Sequence, residues 1–415
     1  MLDILRSGKA RLALGLAVVC MVPAIVLPHW PLLPGNYALR HWVSLAVVVG
    51  SFVGAVFSLR RLNLFPGMRS AVAGVPLLVA WYALCALVLL LWRLPYSLQY
   101  IFSGFVLSTI WMLGHSIILW RTRKFNLAFV PLGRAGHLDA IAGAHWIRLH
   151  EPQFPDRVHI HAIVADLHAP ALSYDWQKFL AACTLRNIPV YNIRQIEEAL
   201  TGRVRIHHMY ENTVGSLLPN PMYVAIKYVL EVALILFVLP VVLLLMLGIA
   251  VAIRMESKGP VIFKQQRVGL HGKEFTIYKF RSMRTDSEKN GASFAEHDDS
   301  RVTRVGRYIR KTRLDELPQL LNVIKGEMSL IGPRPEQKEF VEQFEKEIPF
   351  YQYRHILKPG ISGWAQVKYG YAAGADETKI KIEHDFYYIK HFSFWLDFLI
   401  FLLTIRTMIT GFGSR

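Results

Sequence analysis

Long apolar runs separated by short polar loops occupy the first 120 residues of the chain. Four such runs are present, Leu12–Leu27, Trp42–Leu59, Ala71–Trp92 and Leu98–Trp120. Each approaches or exceeds the ~17–20 residues that an α-helix needs to cross a bilayer, so the pattern predicts four transmembrane helices. The first run does not resemble a removable signal peptide, because it lies far from any small-residue cleavage site and three further runs follow it.

Basic residues are distributed unevenly among the loops of this region. The N-terminal segment, the loop between the second and third runs, and the segment after the fourth run carry most of them: Arg6, Lys9, Arg11, Arg60, Arg61, Arg69, Arg121, Arg123 and Lys124. The two alternate loops hold only Arg40 and Arg93. Because cytoplasmic loops carry the excess of lysine and arginine, we predict a cytoplasmic N-terminus and a return to the cytoplasm after Trp120.

Residues 125–210 change to a soluble α/β pattern. Short β-branched runs at Asn126–Pro131, Val158–Ala165 and Ile188–Ile193 alternate with helical candidates at Ala171–Leu185 and Gln195–Leu200. This alternation predicts a Rossmann-like domain with a parallel sheet.

Two ligand-binding hypotheses for this middle domain lack support in the pattern. Gly133 and Gly136 follow the first strand, where a dinucleotide fingerprint would lie, but the full glycine spacing is missing. His159 and His161 alternate on a predicted strand, but no convincing third metal ligand accompanies them. We therefore predict neither a nicotinamide cofactor nor a metal in this domain. We predict that the domain has a role in regulation or assembly.

A fifth apolar run, Tyr228–Ile253, differs from the others because it contains Glu231 near its start and Pro240 at its middle. A proline inside a helix removes a backbone hydrogen bond and bends the helix. Both flanks of the run are basic, with Lys227 before it and Arg254, Lys258, Lys264 and Arg267 after it. We predict a re-entrant helix, broken at Pro240, whose two ends both face the cytoplasm. A kinked helix that crosses the membrane is the alternative.

Composition supports a membrane protein that acts on anionic partners. The chain has 415 residues, enough for two or three domains, with 53% hydrophobic and 19% charged residues and a formal net charge of +17. The basic excess favours anionic lipids and phosphate-bearing substrates, and the apolar runs argue against a nucleic-acid partner. Cys20, Cys85 and Cys183 have neither metal-ligand nor disulfide spacing, which fits soluble parts that stay reduced.

The region after the fifth run carries many cations. Val261–Arg281 is typical of a β-hairpin with Gly269–Gly272 at its turn, and a basic helix, Arg301–Arg313, is predicted after it. Arginine forks match phosphate oxygens, so the density of cations predicts a phosphate-binding wall. The alternative for any single one of these residues is a solvated basic face. The residues concerned are Lys264, Arg267, Lys279, Arg281, Arg304, Arg307, Arg310 and Lys311.

Two adjacent carboxylates, Asp315 and Glu316, open an apolar-periodic segment that ends at Gly326. We predict a helix here, with Thr312 or Asp315 as its cap. The helix dipole would favour an ionised carboxylate, which can attack phosphorus to form an acyl phosphate, while its neighbour holds a divalent cation. The turn Gly332–Pro335 then supplies an arginine of fixed geometry. A capping residue beside a surface acid is the structural alternative.

From about Pro221 to its end, the chain resembles the bacterial sugar transferase family, the monotopic polyprenyl-phosphate phosphoglycosyl transferases. The four apolar runs and the α/β domain resemble the long form of this family. Several long motifs in the right order carry the resemblance: Gly259–Gly269, Tyr278–Met283, Arg304–Gln319, Asn322–Pro335 and Lys358–Val367.

The resemblance implies transfer of a sugar 1-phosphate from a UDP-sugar to undecaprenyl phosphate, with release of UMP. Asp315 would be the nucleophile that forms a covalent phosphosugar intermediate, and Glu316 its partner, with Mg²⁺ held at these two carboxylates. Arg310 would hold the lipid phosphate and Arg334 the donor phosphate, in a wall that includes Lys279, Arg281, Lys264 and Arg267. The family also implies a homodimer on the cytoplasmic face of the bacterial inner membrane, starting exopolysaccharide, capsule or O-antigen synthesis.

The predicted architecture is therefore a membrane α plus α/β protein. It combines a four-helix transmembrane domain (1–124), a Rossmann-like domain (125–210), and a mixed, mostly helical catalytic domain (221–415). The family often has Ser-Pro at the helix break, whereas this chain has Leu239-Pro240. The run Phe394–Leu403 contains Asp397, which predicts a helix lying in the membrane interface.

Three other functions remain open from the sequence. One is a metal-dependent lipid phosphate enzyme without a covalent step, and another is a catalytically inactive scaffold that binds anionic lipid. The third is a redox-linked enzyme that uses the middle domain. Release of UMP would separate the transferase from the first two, and bound nicotinamide would indicate the third.

Overall fold

The computed structural model describes residues 12–20, 36–66, 70–122, 126–141, 143–154, 160–206, 218–283, 301–370 and 375–410. The chain divides into two compact units, Met1–Thr201 and Gly202–Arg415. The boundary predicted near residue 124, between the membrane helices and the α/β domain, lies inside the first unit and stays a prediction.

The first unit begins with apolar helices. Residues 12–20 are helical, and the rest of the first predicted run lies outside the described residues. Segments long and apolar enough to cross a membrane lie within each of the next three helices, as the second, third and fourth runs predicted. These helices are α1 (Asn36–Leu62), α2 (Ser70–Leu91) and α3 (Leu98–Thr122).

Small residues allow α1, α2 and α3 to approach one another closely. A Cβ atom on Gly54 would lie 2.5 Å from the Trp81 ring, and the indole N–H of Trp81 donates to the Ser58 hydroxyl at 3.0 Å. Ser44 accepts a hydrogen bond from the Ser97 N–H at 2.8 Å. Such small and hydroxyl-bearing residues are typical of helix–helix contacts in membranes, where burial of apolar surface supplies little attraction between helices.

A four-stranded parallel sheet follows, in the order β2-β1-β3-β4, and confirms the predicted parallel α/β fold. The predictions missed β2, whose four residues carry His145 and Arg148 at exposed ends of an edge strand. An edge strand of this kind lacks the buried apolar run that identified β1 and β3. The elements are β1 (Asn126–Phe129), β2 (His145–Arg148), β3 (Ala162–Ala165), α4 (Tyr174–Leu185), β4 (Val190–Asn192) and α5 (Ile193–Thr201).

The glycine-containing segment after β1 forms a 3₁₀-helix, Gly133–Ala140, instead of the N-terminus of a long α-helix. Gly133 has φ +58°, and a Cβ there would lie 2.6 Å from a carboxylate oxygen of Asp166. That carboxylate accepts a hydrogen bond from the Arg134 N–H at 3.1 Å. The Asp166 carboxylate therefore accepts a hydrogen bond from the Arg134 N–H, a donor that a dinucleotide phosphate would need at this position.

The second unit contains seven α-helices and four strands among its described residues. Three short 3₁₀-helices, Leu270–Gly272, Leu314–Gln319 and Tyr351–Ile356, connect them. The regular elements are α6 (Pro221–Glu256), β5 (Ile262–Val268), β6 (Glu274–Phe280), α7 (Arg304–Lys311), α8 (Leu320–Ile324), β7 (Ser329–Ile331), α9 (Lys338–Glu347), β8 (Gly360–Ser362), α10 (Trp364–Lys368), α11 (Ala375–Lys390) and α12 (Phe394–Thr410).

Two small sheets position the turn that follows β7. Strands β5 and β6 form the predicted antiparallel hairpin with its turn at Gly269–Gly272, and β7 pairs with β8 in parallel. The Gly332 N–H donates to the Ser362 carbonyl at 2.9 Å, and the Gly360 N–H donates to the Pro333 carbonyl at 2.9 Å. Cβ atoms at Gly332 and Gly360 would collide with the opposing backbone, so glycine is required for this approach.

Both ends of α6 pack against the same group of elements in this unit. Ile235 belongs to an apolar cluster that includes Phe275 and Val323. Towards the other end, Ile249 and Ile253 belong to a cluster that includes Phe280 and Ile309. The segment between them is largely exposed, and Pro240 lies inside a helix that continues to Glu256.

The acids within the apolar helices α6 and α12 have partners. The Lys227 ammonium lies 2.7 Å from the Asp397 carboxylate and also donates to the Tyr388 hydroxyl at 2.9 Å. The Ser329 hydroxyl donates to Glu231 at 2.7 Å. Asp397, which led us to expect an interfacial helix, is thus buried against a lysine instead of reaching water. The interfacial position of α12 stays a prediction.

Candidate functional site

The two adjacent acids lie on the 3₁₀-helix Leu314–Gln319, not on the N-terminus of the capped α-helix that we predicted. Arg313 adopts the left-handed conformation, with φ +57°, and no side-chain hydrogen bond caps the segment. The Glu316 N–H donates to the Arg313 carbonyl at 3.3 Å, a bond of the 3₁₀ type. The Thr312 hydroxyl donates to the Tyr308 carbonyl at 2.9 Å, so Thr312 ends α7. The predicted caps, Thr312 and Asp315, are therefore both wrong.

Glu316 is buried and faces two cations. The Arg334 guanidinium donates to a carboxylate oxygen of Glu316 at 3.0 Å, and the Lys279 ammonium lies 3.6 Å from the same oxygen. Burial alone would raise the pKa of the Glu316 carboxyl, but the charges of Arg334 and Lys279 outweigh burial and hold that pKa below its ordinary value. Glu316 is therefore a fixed negative charge at neutral pH.

The pKa of the Asp315 carboxyl is shifted in the opposite direction from that of Glu316. Burial and the neighbouring charge of Glu316 raise the pKa of the Asp315 carboxyl to about 6. Lys279, Arg334 and Arg310 oppose this shift without cancelling it. The predicted effect of a helix dipole on Asp315 is thus wrong in direction, because desolvation and the like charge exceed the influence of a six-residue 3₁₀-helix. Adjacent carboxyls with separated pKa values are typical of catalytic sites.

Three of the cations predicted to bind phosphate lie close enough to act on the dyad. Lys279 and Arg334 contact Glu316, and the charge of Arg310 on α7 acts on Asp315. Burial and the charge of Arg334 lower the pKa of the Lys279 ammonium to about 8. Arg313, which sequence reasoning missed, also acts electrostatically on Glu316. Its position two residues before Asp315 was the signal that could have found it.

Three further cations that the resemblance assigns to the substrates have other contacts. Arg281 is buried and donates to the carbonyls of Ser257 and Lys258 at 2.8 and 2.9 Å, where it holds the end of α6. Arg267 lies 3.6 Å from Glu336, and its charge also interacts with Glu316. Lys264 is exposed, with its ammonium 6.0 Å from the centre of the Tyr278 ring. Substrate contacts of these three residues stay predictions.

The residues of the dyad fit the coordination habits of Mg²⁺. Among the described residues no group of three or more His, Cys, Asp or Glu could hold a metal ion by itself. Magnesium is usually bound through one or two carboxylates together with substrate phosphates, and keeps several waters. Asp315 and Glu316 supply two carboxylates of that kind, although Arg334 and Lys279 already occupy one oxygen of Glu316.

The comparison with known proteins agrees with the motifs of this region. Residues 222–411 match the family model described as bacterial sugar transferase. Over 417 aligned residues the chain is 46% identical to the UDP-N-acetylgalactosamine-undecaprenyl-phosphate N-acetylgalactosaminephosphotransferase of Aeromonas hydrophila, covering 99% of this chain and 97% of the relative. The chain belongs to the bacterial sugar transferase family. The resemblance inferred from the motifs is thereby confirmed.

Other relatives of this sugar transferase align over shorter regions. The UDP-glucose:undecaprenyl-phosphate glucose-1-phosphate transferase of Xanthomonas campestris pv. campestris is 47% identical over 164 residues, which cover 39% of this chain and 34% of the relative. The putative undecaprenyl-phosphate N-acetylgalactosaminyl 1-phosphate transferase of Bacillus subtilis is 50% identical over 132 residues, covering 32% of this chain and 74% of the relative. The names of these three relatives describe one reaction class, and two of them give N-acetylgalactosamine as the sugar while the third gives glucose.

Proposed function

We propose that this protein transfers a sugar 1-phosphate from a UDP-sugar to undecaprenyl phosphate and releases UMP. The full-length similarity to the Aeromonas transferase supports this activity. The observation that carries the proposal is the dyad itself. It joins a half-buried Asp315, whose pKa is raised, to a Glu316 that Arg334 and Lys279 keep ionised, and it lies within the matched region.

In the proposed reaction, a carboxylate oxygen of Asp315 attacks the phosphorus that carries the sugar. A bond forms between that oxygen and phosphorus, the bond to the bridging oxygen of the diphosphate breaks, and UMP leaves with the electron pair. An oxygen of undecaprenyl phosphate then attacks the same phosphorus and releases the Asp315 carboxylate. The raised pKa of Asp315 fits this role, because a carboxylate that is poorly stabilised in the free enzyme gains more by reacting.

The cations around the dyad perform the electrostatic part of the reaction. Arg334 presents a planar fork to phosphate oxygens, and Lys279 and Arg310 add positive charge on two further sides. Glu316 holds Arg334 and Lys279 in place before the substrate arrives, so their charge needs little reorganisation during reaction. Mg²⁺, when bound at Asp315 and Glu316, would supply further neutralisation of the diphosphate charge.

We also infer that α6 enters and leaves the membrane on one side. Its two apolar clusters contain Ile235 and Ile249, and a straight helix would separate these residues by about 21 Å, less than the ~30 Å hydrocarbon core. Both clusters consist of residues from the same catalytic unit, including Phe275 and Phe280 of one strand, β6. Pro240 lies between the two clusters, and a bend there would let both stretches of α6 pack on one aqueous domain. This packing supports the re-entrant form at the cytoplasmic face.

The donor is best tested with the full-length protein in lipid. We expect UMP release from one UDP-sugar in a panel that includes UDP-N-acetylgalactosamine and UDP-glucose. Repeated turnover should require undecaprenyl phosphate. We propose UDP-N-acetylgalactosamine as the first candidate donor, because the relative whose name contains this donor aligns over 99% of the chain. Release of inorganic phosphate from the lipid without a UDP-sugar would instead support a lipid phosphatase.

Two further parts of the proposal rest on the family resemblance. The protein would start the assembly of an exopolysaccharide, capsule or O-antigen at the bacterial inner membrane, and it would act as a homodimer. Loss of the corresponding polysaccharide on deletion of the gene, with recovery by the intact gene only, would test the first part. Mass photometry in lipid nanodiscs would test the second, since a uniform population with the mass of one chain would contradict it.

A further inference from the structure

We propose that Arg354 is a positioning residue that holds the Arg334 main chain so that the Arg334 guanidinium meets Glu316. This inference rests on the proposed function, because it assigns Arg354 a part in the same reaction without any contact to the substrate. Arg354 lies between the motifs that identify the family, on the 3₁₀-helix Tyr351–Ile356. No residue pattern near it announces such a role.

The proposal depends on one hydrogen bond, from the Arg354 side chain to the Arg334 main chain. A guanidinium N–H of Arg354 donates to the main-chain carbonyl of Arg334 at 2.8 Å. On the other side of the same residue, the Arg334 guanidinium donates to Glu316 at 3.0 Å. Arg354 is only 4% exposed, so a partner lost here would leave a buried charged group unsatisfied.

Arg354 is itself fixed from two directions. Its guanidinium donates to the Asp385 carboxylate on α11 at 3.0 Å and to the Tyr351 hydroxyl at 2.6 Å. Asp385 is 1% exposed and Tyr351 is also 1% exposed. A guanidinium held by a carboxylate, a hydroxyl and a carbonyl has little freedom to turn, so the position of the Arg334 carbonyl is set by α11 and the 3₁₀-helix together.

The rest of the turn has its own supports, which separates the role of Arg354 from theirs. Glu336 lies 2.6 Å from the Lys381 ammonium, and Arg267 donates to the Pro335 carbonyl at 3.3 Å. These contacts hold the residues that follow Arg334. The Arg334 carbonyl itself accepts its hydrogen bond from the Arg354 side chain.

Loosening of the Arg334 main chain would change how Arg334 meets the donor. The Arg334 guanidinium donates to Glu316 at 3.0 Å while its main-chain carbonyl accepts from Arg354 at 2.8 Å. If the main chain loosens, the guanidinium keeps its charge but spends less time in the geometry that binds two phosphate oxygens. Binding of the UDP-sugar then weakens, whereas a mere loss of folded protein lowers the amount of active enzyme and leaves KM unchanged.

The test compares KM for the UDP-sugar and kcat of full-length variants in lipid. Arg354→Lys keeps a positive charge but cannot reproduce the guanidinium fork. We expect a ~10–100-fold loss of kcat/KM, the range that a displacement of about 1 Å causes in active sites. We also expect KM for the UDP-sugar to rise, because the displaced Arg334 guanidinium binds the donor phosphates less well.

A matched control lies on the same helix as Asp385. Glu383 is buried to a similar extent and lies 3.9 Å from Arg203. Glu383→Gln should leave KM for the UDP-sugar unchanged. Asp385→Asn, which keeps the shape of the partner, should raise that KM in the same direction as Arg354→Lys and by less. If Arg354→Lys does not fold, Asp385→Asn carries the test.

The outcomes separate this proposal from the proposed function. If the unaltered protein releases UMP with lipid but the folded variants keep the unaltered KM for the UDP-sugar, the assignment of Arg354 is overturned. A fall in kcat alone overturns it as well. If the unaltered protein transfers no sugar phosphate from any UDP-sugar, the proposed function fails, independently of Arg354.

Discussion

Two clusters of buried charge lie on opposite sides of the turn after β7, and their chemistry differs. The dyad cluster consists of Asp315, Glu316, Lys279, Arg310, Arg313 and Arg334. The support cluster consists of Glu336, Lys381, Arg267, Arg354 and Asp385. In the support cluster each carboxylate has a close cation, at 2.6 Å for Glu336 and 3.0 Å for Asp385. In the dyad cluster two adjacent carboxyls compete for the same cations.

Pairing separates the two clusters, because burial raises the pKa of Asp385 as well but Asp385 keeps a guanidinium at 3.0 Å. Buried ions that only support a fold are stable when each is paired, because an uncompensated buried charge is costly. The dyad leaves one acid, Asp315, poorly compensated, so the pKa of that acid is raised to about 6. Poor compensation destabilises the free protein and makes the carboxylate available to react. Charge substitutions should therefore affect activity in the dyad cluster, and stability at the Glu336–Lys381 pair of the support cluster.

The largest expected effect is on activity in the dyad cluster. Asp315→Asn keeps the size of the side chain but removes the nucleophilic oxygen charge. We expect covalent labelling by a UDP-sugar labelled in its sugar to disappear, and turnover to fall by about a thousandfold or more. The labelled unaltered protein should lose its label when undecaprenyl phosphate is added. Glu345→Gln, an exposed acid on α9, is the control and should label normally. Near-normal turnover by Asp315→Asn would mean that transfer occurs directly between the two substrates.

The next effect is on stability in the support cluster. Lys381→Met removes the closest cation of Glu336, leaving Arg267 at 3.6 Å. Burial would raise the pKa of Glu336, but Lys381 and Arg354 outweigh burial and lower it to about 2, so the cluster stabilises the fold above the ordinary pKa of glutamate. We expect Lys381→Met to lower the free energy of unfolding by about 3 kcal/mol.

Chemical unfolding in detergent would measure the Lys381→Met effect, which should shrink as pH falls towards 2 and Glu336 becomes protonated. The exposed Lys346 on α9 offers the matched control, since Lys346→Met should change stability by no more than about 0.5 kcal/mol. Equal stability of the two variants would show that the support cluster does not support the fold.

The comparison also separates what the sequence could predict from what it could not. Apolar runs, the β5–β6 hairpin and the dyad were predictable, because each is a contiguous pattern of residues. The pair Arg354–Asp385 was not, since its members are 31 residues apart and neither belongs to a motif. Lys227 and Asp397, 170 residues apart, gave the same difficulty. The partners of buried charges are determined by tertiary packing, which the local sequence pattern does not reveal.

Backbone conformation limited the prediction at the site itself. The left-handed Arg313 follows α7, where the predicted basic helix ends, and the predicted helix of the dyad is divided into a 3₁₀-helix and α8. An arginine with positive φ has no sequence signature. At this site the sequence therefore identified the two acids, but not the caps or the sign of the Asp315 pKa shift.

A smaller effect on activity is expected for Arg334, which belongs to the dyad cluster by its side chain and to the support cluster by its carbonyl. Arg334→Lys keeps the charge and loses the fork that can bind two phosphate oxygens. We expect kcat/KM to fall by about 10–100-fold, with stability nearly unchanged, because Arg354 still has the carbonyl to bind. Steady-state UMP release and a thermal unfolding curve of the same preparation would measure both. A large loss of stability would place Arg334 with the structural charges.

The smallest expected effect is a gain of stability in the variant that loses most activity. The folded pKa of Asp315, about 6, lies above its ordinary value, so the folded protein binds the proton more tightly than the unfolded chain. The resulting stabilisation is complete below the unfolded pKa and is lost as pH rises through about 6. At pH near 7.5, Asp315→Asn should therefore raise the free energy of unfolding by about 1–2 kcal/mol. The gain should vanish below pH ~4, where the carboxyl is protonated in both states. A loss of stability at neutral pH would show that Asp315 is compensated as well as Glu336, and the distinction between the two clusters would then fail.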